Sequence, residues 1–282
     1  TNISGAHFKN FNTLKDIAKA KAEIIDNILE NGNIILNKDD KFFNFLSNQA
    51  RKKGINVISF SSKKKADIFL LRTRRIKNHY RLKVIVKKRI FYFETTYSTN
   101  NFINNILACI SVLSVLNLDL NNMKKKFTNF TIPSGRGDIK VVKKFKKKFK
   151  FIDESYNANP LSMSSAIKNM DYYKRKNNAK KLVLLGDMLE LGKFSKNLHR
   201  EAAKIVNKSK INKVFVYGKD IKETFNKIKT QKKGRILNSK KEIISLMKND
   251  LRDNDYLMVK ASNATGLNNV ISQIKLGQLN VI

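Results

Sequence analysis

Apolar residues in the first half of the chain follow two different spacings. Between residues 14 and 30 they recur every three or four positions, as on one face of a helix. Short apolar runs predict strands at 33–37 and 55–60, with a helix at 42–53 between them. Three runs with β character then predict antiparallel hairpins, at 67–73, 80–87 and 90–97. Helical spacing returns at 101–117 and 119–127.

The second half alternates between short apolar strands and helical segments. Strand-like runs lie at 139–145, 148–153, 181–186, 213–218 and 256–261. Helical spacing occupies 161–174, 196–208, 220–229, 240–249 and 265–276. This alternation predicts an α/β fold with a mostly parallel sheet and helices on both faces. Ligands of such sheets bind beyond the carboxyl ends of the strands.

A domain boundary is predicted at "IPSGRGD" (132–138), which holds one of only two prolines in the chain. Proline and glycine interrupt regular structure, and this segment also carries two glycines. We therefore divide the chain into domains 1–132 and 133–282, which agrees with the two domains expected from 282 residues.

The net charge of +36 suggests an anionic partner such as nucleic acid or a membrane. The excess is mostly lysine, 47 residues against 11 arginines, whereas nucleic-acid sites favour the bidentate arginine fork. Abundant Asn, Ile and Phe beside few Gly and Pro favour a surface that has drifted towards lysine. The alternative is a functional basic patch, and its best candidates are "KKFKKKFK" (143–150) and "RTRRIKNHYRLKVIVKKR" (72–89).

Cysteine content and hydropathy predict a cytoplasmic protein without membrane insertion. The single Cys109 has no partner for an internal disulfide, which fits a reducing compartment and argues against a thiolate zinc site. The longest apolar run, 106–118, is too short to span a bilayer and predicts a buried helix. No signal peptide is visible. Because the chain opens on Thr1, we also expect that the true N-terminus is missing.

The motif "DESYNANP" (153–160) follows a predicted strand directly. Asp153 and Glu154 can accept hydrogen bonds from ribose hydroxyls, and Asn157 and Asn159 can bind a ligand. The alternative is a turn that caps the next helix.

Two further motifs carry polar pairs at helical or loop spacing. "GDMLELG" (186–192) sets Asp187 and Glu190 three positions apart after a strand, and its alternative is a loop with a cap. In "STNNFINNILA", Asn101 and Asn104 share one helix face, and their amides offer the paired donor and acceptor of an adenine contact. An ordinary helix N-terminus with a second polar residue is the alternative there.

His7 and Lys21 are candidates for a metal site near the start of the chain. His7 is one of three histidines and lies among small residues, although a lone histidine is more often not a ligand. Lys21 stands between Ala20 and Ala22 on a helix that we expect to be half-buried. A lysine there is either held in a site or extends its ammonium group to water.

The order of the motifs is more specific than any one of them. "HFKNF", "AKAKAEI", "NNFINN", "SGR", "DESYNANPLSM", "GDMLELG" and "VKAS" follow one another as in the Mur ligase family, which the chain resembles over nearly its whole length. The resemblance implies the remainder of a central P-loop-type ATPase domain in 1–132 and a Rossmann-like C-terminal domain in 133–282. The family's phosphate loop GxxGK[ST] does not occur in the sequence, so the resemblance implies a fragment that is inactive alone.

"DESYNANP" followed by "GDMLELG" resembles the family members that attach D-alanyl-D-alanine to UDP-N-acetylmuramoyl-tripeptide. The implied reaction is ATP-driven amide formation in peptidoglycan precursor synthesis. Phosphoryl transfer turns a carboxylate into an acyl phosphate, which the amine of D-alanyl-D-alanine attacks, and Mg²⁺ neutralises phosphate charge. We expect a monomer that binds ATP, Mg²⁺ and these two substrates, and no specific nucleic acid.

The resemblance also assigns roles to single residues. His7 matches a magnesium ligand, and Lys21 matches the lysine that family members carbamylate into a carboxylate-like metal ligand, so both are implied to be catalytic. Asn101 and Asn104 match adenine-contacting asparagines, and Arg136 an arginine that reaches the ATP phosphates. The remaining nucleotide-binding positions are Asp153 or Glu154 for the ribose, with Tyr156, Asn157 and Asn159.

For the incoming amine, the resemblance implies Lys260, Ser262 and Asp187 as substrate-binding residues. Two departures from the family pattern bear on the implied roles, one on the adenine contact and one on the loop beside Lys260. Asn100 stands where the family usually has histidine, and Ala261 replaces the usual glycine beside Lys260.

Two rival functions remain open from the sequence. One is another amide ligase of the same family with a different amino-acid substrate. The other is a basic RNA-binding protein, which rests on the charge alone. Aromatic side chains that stack near arginine would favour RNA binding, but the aromatics here mostly alternate inside predicted strands.

Overall fold

The computed structural model describes residues 2–4, 9–175 and 178–275, with side chains as far as residue 273. This part of the chain forms two compact units, one built mainly from Thr13–Thr131 and the other from Ile132 onward together with residues 9–12. No helix within the described ranges combines the length and the apolar character needed to cross a membrane.

The first unit is a five-stranded mixed sheet with three α-helices. Its helices are α1 (Leu14–Ala22), α2 (Phe43–Lys52) and α3 (Asn100–Val115). Its strands are β1 (Asn33–Asn37), β2 (Asn56–Ser61), β3 (Ile68–Ile76), β4 (His79–Val86) and β5 (Arg89–Thr95), in that spatial order. β1, β2 and β3 are parallel, and β3, β4 and β5 form an antiparallel meander.

Alternation along the strands sends apolar residues to both faces of this sheet. Ile35 and Ile58 pack in the core cluster beneath α3, whereas their neighbours Ile34 and Val57 pack in a cluster with Ala50 of α2. Because α2 packs on β1 and β2, the face of the β3–β5 meander opposite α3 carries exposed side chains.

Two of the predicted helices are shorter or absent. The helix predicted over 14–30 ends at Ala22 and continues as a 3₁₀ turn, Glu23–Asn27, which buries Ile25 and leaves Ile24 64% exposed. In place of the helix predicted over 119–127, the chain forms two 3₁₀ turns, Asn121–Met123 and Lys126–Thr128. The carbonyl oxygen of Lys124 accepts the main-chain N–H of Glu94 in β5 at 2.6 Å, which withdraws it from any helical ladder.

The second unit is a six-stranded sheet with helices on both faces. Its strands are β6 (Asp138–Lys144), β7 (Lys147–Glu154), β8 (Lys181–Gly186), β9 (Lys213–Tyr217), β10 (Lys233–Leu237) and β11 (Tyr256–Lys260). Its helices are α4 (Pro160–Tyr172), α5 (Ser195–Lys208), α6 (Lys222–Lys227), α7 (Lys240–Ser245) and α8 (Leu267–Lys275), and a π-helical turn, Leu246–Asp250, follows α7. β10 was not predicted.

The strand order of the second sheet is β10-β9-β8-β11-β7-β6, and all pairs except β6–β7 are parallel. Along β8, Val183 and Leu185 face the cluster that contains α4 and α5, while Leu182 and Leu184 face the cluster that contains α7 and α8. The predicted α/β class, with a largely parallel sheet covered on both faces, is therefore confirmed. Since β11 lies between β7 and β8, the loops after these three strands meet at one edge.

Candidate functional site

The turn "DESYNANP" after β7 is held from inside by Asp153 and Asn159. Asp153 is 2% exposed, and its Oδ1 accepts the main-chain N–H of Ser155 at 3.0 Å and the Ser155 hydroxyl. Asn159 is the N-cap of α4, where its side chain accepts the N–H of Ser162 at 2.9 Å. The capping interpretation is thus realised at Asn159, while the Tyr156 and Asn157 side chains between these two residues are exposed.

Lys260, the last residue of β11, fastens this turn from the neighbouring strand. Its Nζ donates a 2.6 Å hydrogen bond to the carbonyl oxygen of Asn157 and lies 3.6 Å from Oε2 of Glu154. Burial lowers the pKa of the Lys260 ammonium, and the Glu154 carboxylate opposes that shift. Burial likewise raises the pKa of Glu154, against the attraction of Lys260.

The geometry distinguishes the two adjacent acids that the sequence left equal. The Asp153 carboxylate is used inside the turn, whereas the Glu154 side chain remains 20% exposed beside Lys260. A ligand approaching from solvent therefore meets Glu154 before Asp153.

The "IPSGRGD" segment lies against the same turn because two glycines allow close approach. Gly135 and Gly137 have φ values of +81° and +97°, and a Cβ at either would fall 2.9 Å from Tyr156 or from Oε1 of Glu154. Arg136, between them, is exposed and places its guanidinium carbon 4.2 Å from the centre of the Tyr156 ring. Arg136, Tyr156 and Glu154 thus form one accessible surface.

The hydroxyl of Ser262 joins three loops. It donates to the carbonyl oxygen of Ala158 at 3.0 Å and accepts the N–H of Leu189 at 2.9 Å. Ser262, the second residue after β11, thereby ties "DESYNANP" to "GDMLELG". Asp187 acts in the same way on a fourth loop, since its two carboxylate oxygens accept the N–H groups of Lys219 and Ile221 at 3.0 and 2.7 Å. Through these contacts Asp187 holds the loops after β8 and β9 together. Its role in substrate binding stays a prediction.

His199 is a residue of this edge that the sequence reasoning missed. It is fully buried on α5, and its Nε2 accepts the N–H of Met188 at 3.1 Å. The proton of the neutral ring is then on Nδ1, which donates to the carbonyl oxygen of Ser195 at 2.8 Å. A signal was present in the sequence, because His199 lies three and four positions before Ala202 and Ala203 on the apolar face of a helix.

In the first unit, Asn101 and Asn104 lie in the first turns of α3. Thr99 is the N-cap residue of that helix, so neither asparagine serves as its cap. Asn101 is exposed, whereas Oδ1 of Asn104 is buried and has no hydrogen-bond partner among the described residues. An amide oxygen in that state has an unused acceptor, which a ligand could satisfy.

Of the two predicted metal ligands, the described residues include only Lys21. The helix α1 is half-buried, as expected, because its apolar stripe runs through Ile17, Ala18 and Ala22. Lys21 lies on the outer side of this helix and is exposed, which matches the alternative in which its ammonium group extends to water. His7 lies outside the described residues. Within the described ranges, no group of three or more His, Cys, Asp or Glu side chains is placed to hold a metal ion.

The chain is similar to known proteins over nearly its full length. A protein-family model described as "Mur ligase middle domain" matches residues 1–113, and a second family model, described as "Mur ligase, glutamate ligase domain", matches residues 139–263. UDP-N-acetylmuramoyl-tripeptide–D-alanyl-D-alanine ligase from Buchnera aphidicola (subsp. Baizongia pistaciae) is 30% identical over 97% of this chain and 57% of its own length. The enzyme of the same name from Rickettsia prowazekii is 24% identical over 96% of this chain and 59% of its own length.

Solved structures agree with these matches at the level of the fold. MurF from Acinetobacter baumannii superposes with a TM-score of 0.82 at 20% identity, covering 97% of this chain and 58% of that one. MurF ligase from Thermotoga maritima in complex with ADP gives 0.77 at 22% identity, covering 98% and 61%. The chain thus spans somewhat more than half the length of these relatives. The two domain models, the relatives and the shared fold agree with the order of the motifs, and the chain belongs to the Mur ligase family.

Proposed function

We propose that this chain is part of an ATP-dependent ligase that joins D-alanyl-D-alanine to UDP-N-acetylmuramoyl-tripeptide in peptidoglycan precursor synthesis. The observation that carries the proposal is the convergence at the end of β11. There Lys260 and Ser262 together hold "DESYNANP", and Ser262 also holds "GDMLELG". The names of the relatives support the choice of substrates.

Nucleotide binding is proposed for two sets of residues, one in each unit. The buried and unpartnered Oδ1 of Asn104 fits the need for an adenine contact, with Asn101 one turn earlier on the same face. Glu154 has the accessible carboxylate for a ribose hydroxyl, and Arg136, stacked on Tyr156, offers a guanidinium to phosphate. When bound, ATP supplies the phosphoryl group that activates the substrate carboxylate.

In this proposal Lys260 acts by position rather than by contact with the amine. The Lys260 side chain is 3% exposed and its ammonium group donates to the turn, so it orients Glu154 and Asn157. Ser262 in the same way sets the distance between the two loops that would receive the substrate. The described residues do not themselves form a magnesium site, and the assignment of magnesium to His7 and Lys21 stays a prediction. The protein is also proposed to be a monomer in the cytoplasm.

An assay with a completed enzyme tests the proposal. We would fuse this chain to the part of the Buchnera aphidicola relative that the alignment leaves unmatched, and measure phosphate release. The expected result is release that requires ATP, UDP-N-acetylmuramoyl-tripeptide and D-alanyl-D-alanine together, and that falls at least tenfold in Glu154→Ala.

The same assay tests a second candidate, another amino-acid ligase of this family. A segment of 138 residues is 30% identical to UDP-N-acetylmuramate–L-alanine ligase from Borrelia garinii. A parallel assay would therefore contain L-alanine and UDP-N-acetylmuramate in place of D-alanyl-D-alanine and UDP-N-acetylmuramoyl-tripeptide. Phosphate release with that pair, and not with D-alanyl-D-alanine and the tripeptide, would refute the proposed specificity.

A further inference from the structure

Arginine is concentrated in one part of the first unit. Five of the chain's 11 arginines lie within residues 72–89, although the chain uses lysine 47 times. Drift towards lysine would replace arginine wherever a simple positive charge is enough. The guanidinium differs from the ammonium group by its planar fork, which binds phosphate through two bonds and stacks on flat rings. The arginines kept in this segment therefore indicate a role that needs the planar guanidinium, which lysine lacks.

The strand register gathers these side chains into rows across the meander. Arg72, Lys83 and Tyr92 are directly opposite one another on β3, β4 and β5. Arg74 and Arg81 are opposite one another in the next row. Both rows alternate with Leu82, which packs beneath α3, so they lie on the opposite face of the sheet.

Like charges directly opposite on neighbouring strands destabilise a sheet. In the Arg74–Arg81 pair, Arg81 is neutralised by Glu94, whose Oε1 lies 2.9 Å from its guanidinium. For Arg72, Arg74 and Lys83, the described part of the chain offers no acid within ion-pair distance. An anion bound across the strands would remove this repulsion.

The same face continues into a groove beside α2. The groove has a volume of about 850 Å³, and Phe69 and Ile85, which pair across β3 and β4 on this face, form part of its floor. Its one acid, Asp67, is occupied by the N–H and hydroxyl of Ser59. The rim is cationic and carries Lys38, Arg51, Lys65, Lys87 and Lys88.

We propose that this arginine face, defined by Arg72, Arg74, Lys83 and Tyr92, binds single-stranded nucleic acid without sequence selectivity. The guanidinium groups would contact phosphates along the strand. Tyr92 is 46% exposed in the same row as two cations and would stack on a base. The register places this ring directly opposite Lys83, which is itself opposite Arg72, and a single strand offers such a row both phosphates and flat bases. In this proposal nucleic-acid binding is not a rival to the ligase function but a second property of the same Mur ligase-family chain.

Fluorescence anisotropy of a labelled 12-nucleotide RNA of mixed sequence, with the 282-residue chain, tests this proposal. We expect binding at about 50 mM salt that weakens steeply by about 200 mM. Arg72→Gln/Arg74→Gln should weaken it at least tenfold and reduce the slope of log K against log salt by about 1.4, because two phosphate contacts are lost. Tyr92→Leu should weaken it about fivefold or more and leave the slope unchanged.

The matched control removes two exposed lysines from another sheet, in Lys140→Gln/Lys143→Gln. Because the same net charge is lost, a comparable weakening in this control would show that binding follows overall charge and would overturn the proposal. Failure to bind RNA at the lower salt would overturn it equally. A third contradicting outcome is binding to phosphatidylserine vesicles that is lost in the arginine variant while RNA binding is kept. Circular dichroism and thermal melting establish that each variant is folded.

Discussion

The Nζ atom of Lys260 lies 2.6 Å from the carbonyl oxygen of Asn157, so the end of β11 holds the turn that follows β7. The same atom is 3.6 Å from a Glu154 oxygen. The site edge of the second unit is therefore fixed by a buried cation whose acceptors belong to the neighbouring strand end.

Removing this cation should destabilise the second unit. Lys260→Met leaves the Glu154 carboxylate and the Asn157 carbonyl without their donor, and we expect a loss of about 3 kcal/mol in the free energy of unfolding. In Lys260→Met/Glu154→Gln the unpaired charge is gone, so part of that loss should return. Urea denaturation measures both. If the loss of unfolding free energy in the double variant equals the sum of the losses in Lys260→Met and in Glu154→Gln, the two side chains do not interact.

Asn104 should be replaceable with a gain in stability. Its buried Oδ1 has no partner in the described chain, and leucine both removes that oxygen and favours a helix, so Asn104→Leu should stabilise the first unit by about 1 kcal/mol. Asn101→Leu, at an exposed position, should change stability by less than about 0.5 kcal/mol. In the completed enzyme both changes should raise the ATP concentration needed for half-maximal rate. A loss of stability in Asn104→Leu would show that the oxygen has a partner in the folded chain.

His199 should be required as a hydrogen-bond acceptor. His199→Leu leaves the N–H of Met188 buried without a partner and should cost about 2 kcal/mol. His199→Gln retains a side-chain acceptor and should cost clearly less. Hydrogen exchange of the Met188 amide is the specific readout, and it should accelerate in the leucine variant well beyond the change in global stability. Equal exchange in both variants would reduce His199 to a packing residue.

Glu94 should make the first unit sensitive to acid. The hydrogen bond from Arg81, assisted by His79, holds the pKa of Glu94 below its ordinary value of 4.5. A carboxyl with a lowered folded-state pKa stabilises the protein above its ordinary pKa, and that contribution is lost as pH falls through the lowered value. Glu94→Gln should therefore cost about 1.5 kcal/mol at pH 7 and progressively less below pH 4.5. A difference between wild type and variant that stays constant from pH 7 to pH 3 would contradict this.

The turn between β6 and β7 offers a stabilising substitution. Lys146 adopts a φ of 58°, a left-handed conformation that disfavours side chains with a Cβ. Lys146→Gly should stabilise the second unit by about 0.5–1 kcal/mol, whereas Lys143→Gly, within β6, should destabilise it by a similar amount. Thermal melting of the two variants, which lose the same charge, separates the backbone effect from electrostatics.

Local patterns were sufficient for much of the fold. β1 occupies 33–37, as predicted, and the motifs "DESYNANP" and "GDMLELG" stand at the ends of β7 and β8, also as predicted. β10 was missed because it is a short edge strand in which Leu237 alone is buried, so its sequence shows neither alternation nor an apolar run. The predicted helix over 119–127 failed because a β5 amide takes one of its carbonyl groups.

The contacts of the site depend on strand order, which no local pattern contains. Ser262 reaches both Ala158 and Leu189 only because β11 is inserted between β7 and β8. Asp153 is more deeply buried than Glu154 because adjacent residues of a strand point to opposite sides, and strand order decides that the Glu154 side chain lies beside Lys260 of β11. The sequence therefore located the loops but left the roles of neighbouring side chains open.

The edge strand β6 gives the surplus of lysine a consequence for association between molecules. An exposed strand edge is a template on which a second chain can add its own strand. β6 presents Ile139 and Val141, 46% and 57% exposed, and sets Lys140 and Lys143 among them. Two such edges brought side by side would place rows of ammonium groups against one another. The lysines of β6, which look like drift, thus oppose the edge-to-edge pairing that leads to fibres. A variant with neutral residues in their place would need another element to cover the exposed edge of β6.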